Sequence, residues 1–241
     1  MRYDLKLPAV IFLSSCTALA YEVLLTRIFS VSLWYHFAFM IISIAMLGFA
    51  ASGALLALYP RLKDLSLIPA FALFLAVAID LSYLLANLVP FDPVRLSWER
   101  TQILNIGCYY LILAIPFFWA GLIVAAAFSA TSRKAGLLYG ADLLGAGTGS
   151  LGILFLLGLT APERAVFFLA AAASLAPLTF GGARLKGVSL LLGAFALSNR
   201  LLQPVLADED YQVAAGTPTT VDWPAPVRLG PARPAQGTPV A

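Results

Sequence analysis

Charged residues are scarce in this chain. They make up 11% of its 241 residues, whereas hydrophobic residues make up 61%. Soluble domains carry about a quarter charged residues, and a soluble chain of this size needs more polar surface to cover its core. The shortage of charge excludes an ordinary soluble domain, and a mean hydropathy of +0.91 indicates an integral membrane protein.

Cysteine and histidine are also scarce, with two cysteines and one histidine in the whole chain. Cys16 and Cys108 lie in apolar segments and give no disulfide framework, and a zinc site needs more ligands than these three residues. The net charge of +3 is too small to indicate nucleic-acid binding. The sequence therefore predicts no cofactor, no metal and no nucleic-acid partner.

Long apolar segments fill most of the chain. A helix needs about 20 apolar residues to cross the bilayer core, and seven segments qualify. They predict an all-α, polytopic transmembrane bundle of about seven helices over residues 1–206. The first segment is too long for a signal peptide, so it is expected to remain as an anchor. The predicted spans are 7–31, 36–59, 65–89, 103–130, 137–160, 163–181 and 187–206.

The last 35 residues differ in character. Residues 207–241 contain the acidic run 208–210, followed by six prolines among small residues. Such a composition cannot bury a core, and it predicts an extended or disordered Pro-rich tail. If all seven segments span the bilayer, the tail and the N-terminus lie on opposite sides; with six spans, they lie on the same side.

Lysine and arginine in the connections predict the orientation. With the N-terminus in the cytoplasm, the cytoplasmic side receives eight of these residues and the opposite side three. The sequence thus predicts a multi-pass protein of the bacterial inner membrane, surrounded by lipid, with a cytoplasmic N-terminus. The eight are Arg2, Lys6, Arg61, Lys63, Arg133, Lys134, Arg184 and Lys186; the three are Arg95, Arg100 and Arg164.

Ionisable residues within the apolar segments are functional candidates, because each costs roughly 2.5–3.5 kcal/mol to insert at the bilayer centre. Glu22 and Arg27 are five residues apart, so they point to different sides of their helix and need partners elsewhere. We expect Arg27 to pair with Asp80, and Glu22 with Arg200 or His36. The candidate intramembrane polar cluster is Glu22, Arg27, His36, Asp80, Asp142 and Arg200.

Three roles for this cluster stay open. The pairs could only hold helices together, they could line a polar cavity for a cation or a polyamine, or they could relay protons. His36 is the only histidine and is expected near an interface, which argues against a relay. No catalytic, cofactor-binding or metal-binding residue is predicted.

Residues 147–152 fit the dinucleotide pattern G-x-G-x-x-G, but the strand and βαβ unit that this pattern requires are missing. A helix-packing role fits better. Ala141, Gly145 and Gly149 form a small-xxx-small ridge that lets a second helix approach closely. Gly48 and Ser52 could supply the matching groove.

Four segments resemble a known family in their order along the chain. They are residues 20–27 (AYEVLLTR), 37–53 (FAFMIISIAMLGFAASG), 116–122 (PFFWAGL) and 138–145 (LYGADLLG). Together they resemble the membrane region of bacterial spermidine synthase-like proteins, in which several membrane helices precede an aminopropyltransferase domain. The residues that match the two more specific segments are Tyr21, Glu22, Thr26, Arg27, Tyr139 and Asp142.

The resemblance covers residues 7–200 and stops before the catalytic part. It implies a Rossmann-like domain with a Gly-rich loop and aspartates that hold the polyamine, and nothing after Pro204 matches these features. The leading hypothesis is therefore a non-catalytic membrane module that acts as a scaffold or subunit, with another membrane protein or a second copy as partner. Two alternatives remain: the membrane part of an aminopropyltransferase whose catalytic domain is missing or separately encoded, and a small polyamine or cation transporter.

Overall fold

The fold is all-helical, as the sequence predicts. The computed structural model describes residues 6–32, 36–89, 100–131, 134–180 and 185–196, and it contains no strand in these ranges. The predicted tail, 207–241, lies outside them. The helices are α1 (Lys6–Ser32), α2 (His36–Leu58), α3 (Ile68–Leu88), α4 (Arg100–Ala130), α5 (Ala135–Leu157), α6 (Pro162–Ala173) and α7 (Leu175–Phe180), and a further helical segment covers Leu185–Ala196.

The first five helices, α1 to α5, are long and apolar enough to cross a membrane, which is consistent with a multi-pass membrane protein. The sixth predicted span is divided into α6 and α7 at Ser174. Pro177 explains the break, because proline lacks the N–H that would bond to the Ala173 carbonyl and its ring crowds that carbonyl. The seventh predicted span is described only over Leu185–Ala196, which is shorter than a full crossing.

Helices α1, α3 and α4 meet around one buried tyrosine. The Tyr21 side chain has no exposed surface, and its ring packs against Phe117 of α4 with centroids 5.5 Å apart. Its hydroxyl is 2.8 Å from the Ser82 hydroxyl of α3. Ser82 donates to the Ile79 carbonyl at 3.1 Å, so Tyr21 is the donor in the bond between the two hydroxyls. This contact fixes the position of α1 along α3.

Helix α2 packs on α4 through small residues. A Cβ atom added to Gly48 would lie 2.7 Å from the Ala114 carbonyl oxygen, and one added to Gly121 would overlap Ser52. The expectation that Gly48 and Ser52 form a groove for α5 is therefore wrong, because both residues are already occupied by α4.

A short connection joins α2 to α3. It consists of two 3₁₀ turns, Pro60–Lys63 and Leu65–Leu67, with Asp64 between them. The Asp64 carboxylate accepts the Ser66 backbone N–H at 3.0 Å, and this bond lowers the pKa of the exposed carboxyl. The side chain thus caps the second turn, which leads directly into α3.

Candidate intramembrane site

Helices α1 and α5 approach each other closely along the ridge on α5. Gly145 and Gly149 are buried, and a Cβ atom at either position would overlap the α1 backbone, at Phe12 and at Cys16 respectively. Ala141 is partly buried against the core on the same side. The ridge therefore packs on α1, and only glycine at these two positions permits such a short distance. We call this contact the α1–α5 seam.

A polar bond lies beside the glycines of the seam. The buried Ser15 hydroxyl of α1 donates a hydrogen bond to the Asp142 carboxylate of α5. A hydroxyl bound to a carboxylate offsets part of the cost of placing that charge among apolar helices. The sequence pointed to Asp142 but not to Ser15, whose only signal is a pair of serines in the apolar first half of α1.

Asp80 of α3, unlike Asp142, has a buried carboxyl oxygen that accepts no hydrogen bond from the described residues. The residue is partly buried, and its carboxyl oxygen Oδ1 has no exposed surface and no hydrogen-bond partner in the described part of the chain. Ser14 Oγ and Ser189 Oγ share that property. A hydroxyl without a partner is a modest penalty, whereas a carboxylate without a partner is a large one. Asp80 is thus the most unusual polar residue that the structure describes.

The predicted ion pair between Arg27 and Asp80 is absent. Arg27 is exposed, and it is not within bonding distance of the Asp80 oxygen that lacks a partner. The position of α1 along α3 explains the error. With Tyr21 level with Ser82, Arg27 lies six residues beyond that level and Asp80 two residues before it, so the two are about 12 Å apart along parallel helices at 1.5 Å per residue.

The other members of the predicted cluster do not gather around Asp80. Glu22 is half-buried, and no ion pair of its carboxylate occurs among the described residues. His36 begins α2, but its side chain lies outside the described part, as does the whole of Arg200. Asp142 belongs to the α1–α5 seam. No group of three His, Cys, Asp or Glu side chains in the described ranges could hold a metal ion.

A small cavity lies between the carboxyl-terminal parts of α1 and α3 and the first half of α4. Its volume is about 40 Å³, and it is lined by Leu25, Ile28, Phe29, Tyr83, Ala86, Asn87, Tyr109 and Leu113. Three of these side chains carry polar atoms: Tyr83, Asn87 and Tyr109. Two of the three follow Asp80 at i+3 and i+7, which places them on the same face of α3. That spacing is the sequence signal by which Tyr83 and Asn87 could be grouped with Asp80.

Comparisons of the chain with known protein families, with curated proteins and with solved structures found no match. The resemblance to spermidine synthase-like proteins therefore rests on the four sequence segments alone.

Proposed function

We propose that this chain is a non-catalytic membrane module of the spermidine synthase-like type that acts as a scaffold or subunit of a membrane assembly. The observation that carries the proposal is the two-sided character of α5. One side packs on α1 through Gly145 and Gly149, and the opposite side has no neighbour in the described part of the chain.

The outward side of α5 combines large apolar residues with a glycine. Gly147 lies there in open space, since an added Cβ atom would meet nothing within 4 Å. Each glycine weakens a helix by about 1 kcal/mol relative to alanine, while small residues favour close contact between membrane helices. This supports a second helix contact on the outward side. The large apolar residues exposed there are Leu143, Leu144, Leu151 and Phe155.

The distribution of ionisable residues supports a non-catalytic role. Asp142 is bonded to Ser15 in the seam, whereas Arg27 is exposed and Asp80 has an oxygen without a partner. General acid–base catalysis and polyamine binding both need several charged groups around one substrate position. The described residues do not provide such a convergence.

The proposed topology has a cytoplasmic N-terminus and six or seven crossings of the bacterial inner membrane. Together α6 and α7 span residues 162–180, or about 28 Å at 1.5 Å per residue, close to the thickness of the hydrocarbon core. A reporter fused after Lys63 or Lys134 is expected in the cytoplasm, and one fused after Trp98 on the opposite side. Detection of the Lys134 fusion on the side opposite the cytoplasm would contradict this topology.

Assembly can be tested by purifying the chain from its own membranes in a mild detergent, after crosslinking, and measuring the mass of the complex. We expect a stoichiometric partner, which is either an aminopropyltransferase-type protein or a second copy. The variant Gly147→Leu should release this partner while the thermal unfolding of the chain stays unchanged, because the added side chain enters open space. A wild-type chain that purifies only as a monomer, or a partner retained by this variant, would contradict the proposal.

A further inference from the structure

The carboxyl of Asp80 requires an explanation that the scaffold role does not supply. Its Oδ1 atom is buried without a hydrogen bond among the described residues. An ionised carboxylate in this position would lose the hydration of Oδ1 without gaining a donor there, which costs more than burying the oxygen of a neutral carboxylic acid. The geometry therefore favours the protonated, uncharged form of the Asp80 carboxyl.

Among the described residues, no charged group on the helices packed against α3 supplies a positive charge to Oδ1 instead. The helices packed on α3 carry titratable or charged side chains that include Tyr21, Glu22 and Arg27 on α1, Tyr109 on α4 and Arg164 on α6, and α7 has none. Both arginines are exposed, and Oδ1 of Asp80 accepts no hydrogen bond from either. The Tyr21 hydroxyl is already donated to Ser82.

Polar side chains follow Asp80 on the same face of α3, although Asp80 itself is not among the residues that line the cavity. Tyr83 is one turn beyond Asp80 and Asn87 is one turn further, and both side chains line the cavity of about 40 Å³. A water molecule needs roughly 10–15 Å³ of such volume and two to four polar partners. The polar groups of the lining are the hydroxyls of Tyr83 and Tyr109 and the Asn87 amide, whose Nδ2 donates to the Tyr83 backbone carbonyl at 2.9 Å. Asn87 is exposed one residue before the carboxyl-terminal end of α3.

We infer that Asp80 is an intramembrane proton-binding site, which exchanges its proton with water at the carboxyl-terminal end of α3 through the cavity lined by Tyr83, Asn87 and Tyr109. In the exchange, the carboxylate takes a proton from hydronium and releases water, and the reverse step returns the carboxylate to the ionised form. This inference does not depend on the scaffold role or on the family resemblance.

The bound proton can be measured by infrared spectroscopy of the full chain in lipid vesicles at neutral pH. A protonated carboxylic acid has a carbonyl band that the ionised form lacks. We expect this band in the wild type, a shift when the chain is made with isotopically labelled aspartate, and its loss in Asp80→Asn. Glu22→Gln and Asp142→Asn should retain it. If Asp80→Asn folds poorly, labelled Asp142→Asn still separates the two intramembrane aspartates, because only a band from Asp80 survives in it. Absence of a shifted band in the labelled wild type, or its loss in labelled Asp142→Asn, would overturn the inference.

The route can be tested by the rate at which the band shifts after transfer to heavy water. Asn87→Leu should slow this exchange, because it removes a polar group from the cavity and fills space that water needs. Asn105→Leu, a matched change on α4 outside the cavity, should leave the rate unaltered. Equal rates in the wild type and Asn87→Leu, or equal slowing by the two variants, would refute the route.

Discussion

Asp142 and Asp80 are both aspartates in apolar helices, but only the carboxylate of Asp142 has a hydrogen-bond donor from a neighbouring helix in the described part of the chain. Asp142 lies at a seam where two glycines bring the helices together and a serine donates to the carboxylate. Asp80 lies on a helix whose neighbours leave one of its oxygens without a donor in the described part of the chain. The difference indicates that the first carboxylate contributes to packing, whereas the second is retained at a cost to stability.

The largest expected effect is overpacking at the seam. In Gly145→Leu the new side chain has no space, because even a Cβ atom would overlap the Phe12 backbone. We expect destabilisation of at least ~1–3 kcal/mol, measured by unfolding in detergent. Gly147→Leu, two residues along the same helix, is the matched control. It should unfold like the wild type, since a Cβ atom there meets nothing within 4 Å. Equal losses in both variants would show that α5 does not have one packed and one open side.

The smallest expected effect is the coupling between Arg27 and Asp80. The sequence suggests an ion pair, in which case Arg27→Ala would be more harmful than Arg27→Ala/Asp80→Ala. The structure predicts a coupling close to zero, because Arg27 is exposed and lies at a different level of the bundle. Folded yield and unfolding in detergent for both single variants and the double variant form the test. A coupling free energy well above about 0.5 kcal/mol would show that Arg27 and Asp80 interact, and it would contradict the structure.

The extent of the long helices could be read from the sequence because length and hydropathy determine it. The predicted spans 65–89 and 137–160 agree with α3 (Ile68–Leu88) and α5 (Ala135–Leu157) to within three residues at each end. The break between α6 and α7 was missed, although Pro177 marks it. Hydropathy alone does not reveal this break, because Pro177 is flanked by apolar residues and acts by removing a backbone donor.

The contacts between helices could be read only in part. The spacing of Ala141, Gly145 and Gly149 indicates a packing ridge, but it does not identify the helix that fills it, and α1 takes the place expected for α2. The pairing of Arg27 with Asp80 required the position of α1 along α3. That position depends on the contacts of Tyr21 with Ser82 and Phe117. These contacts join different helices, so the spacing of residues within a single helix cannot predict them.

The measurement that tests the contrast between the two aspartates most directly is the unfolding of Asp142→Ala and Asp80→Ala side by side in the same detergent. Asp142→Ala removes the acceptor of Ser15 and should destabilise the chain by about 0.6 kcal/mol, the average for a hydrogen bond between membrane helices, and by no more than about 1.7 kcal/mol, the maximum. Asp80→Ala removes a group that has an oxygen without a partner, so this variant should be at least as stable as the wild type. If Asp80→Ala is the less stable of the two variants, Asp80 has a structural partner and the contrast is wrong.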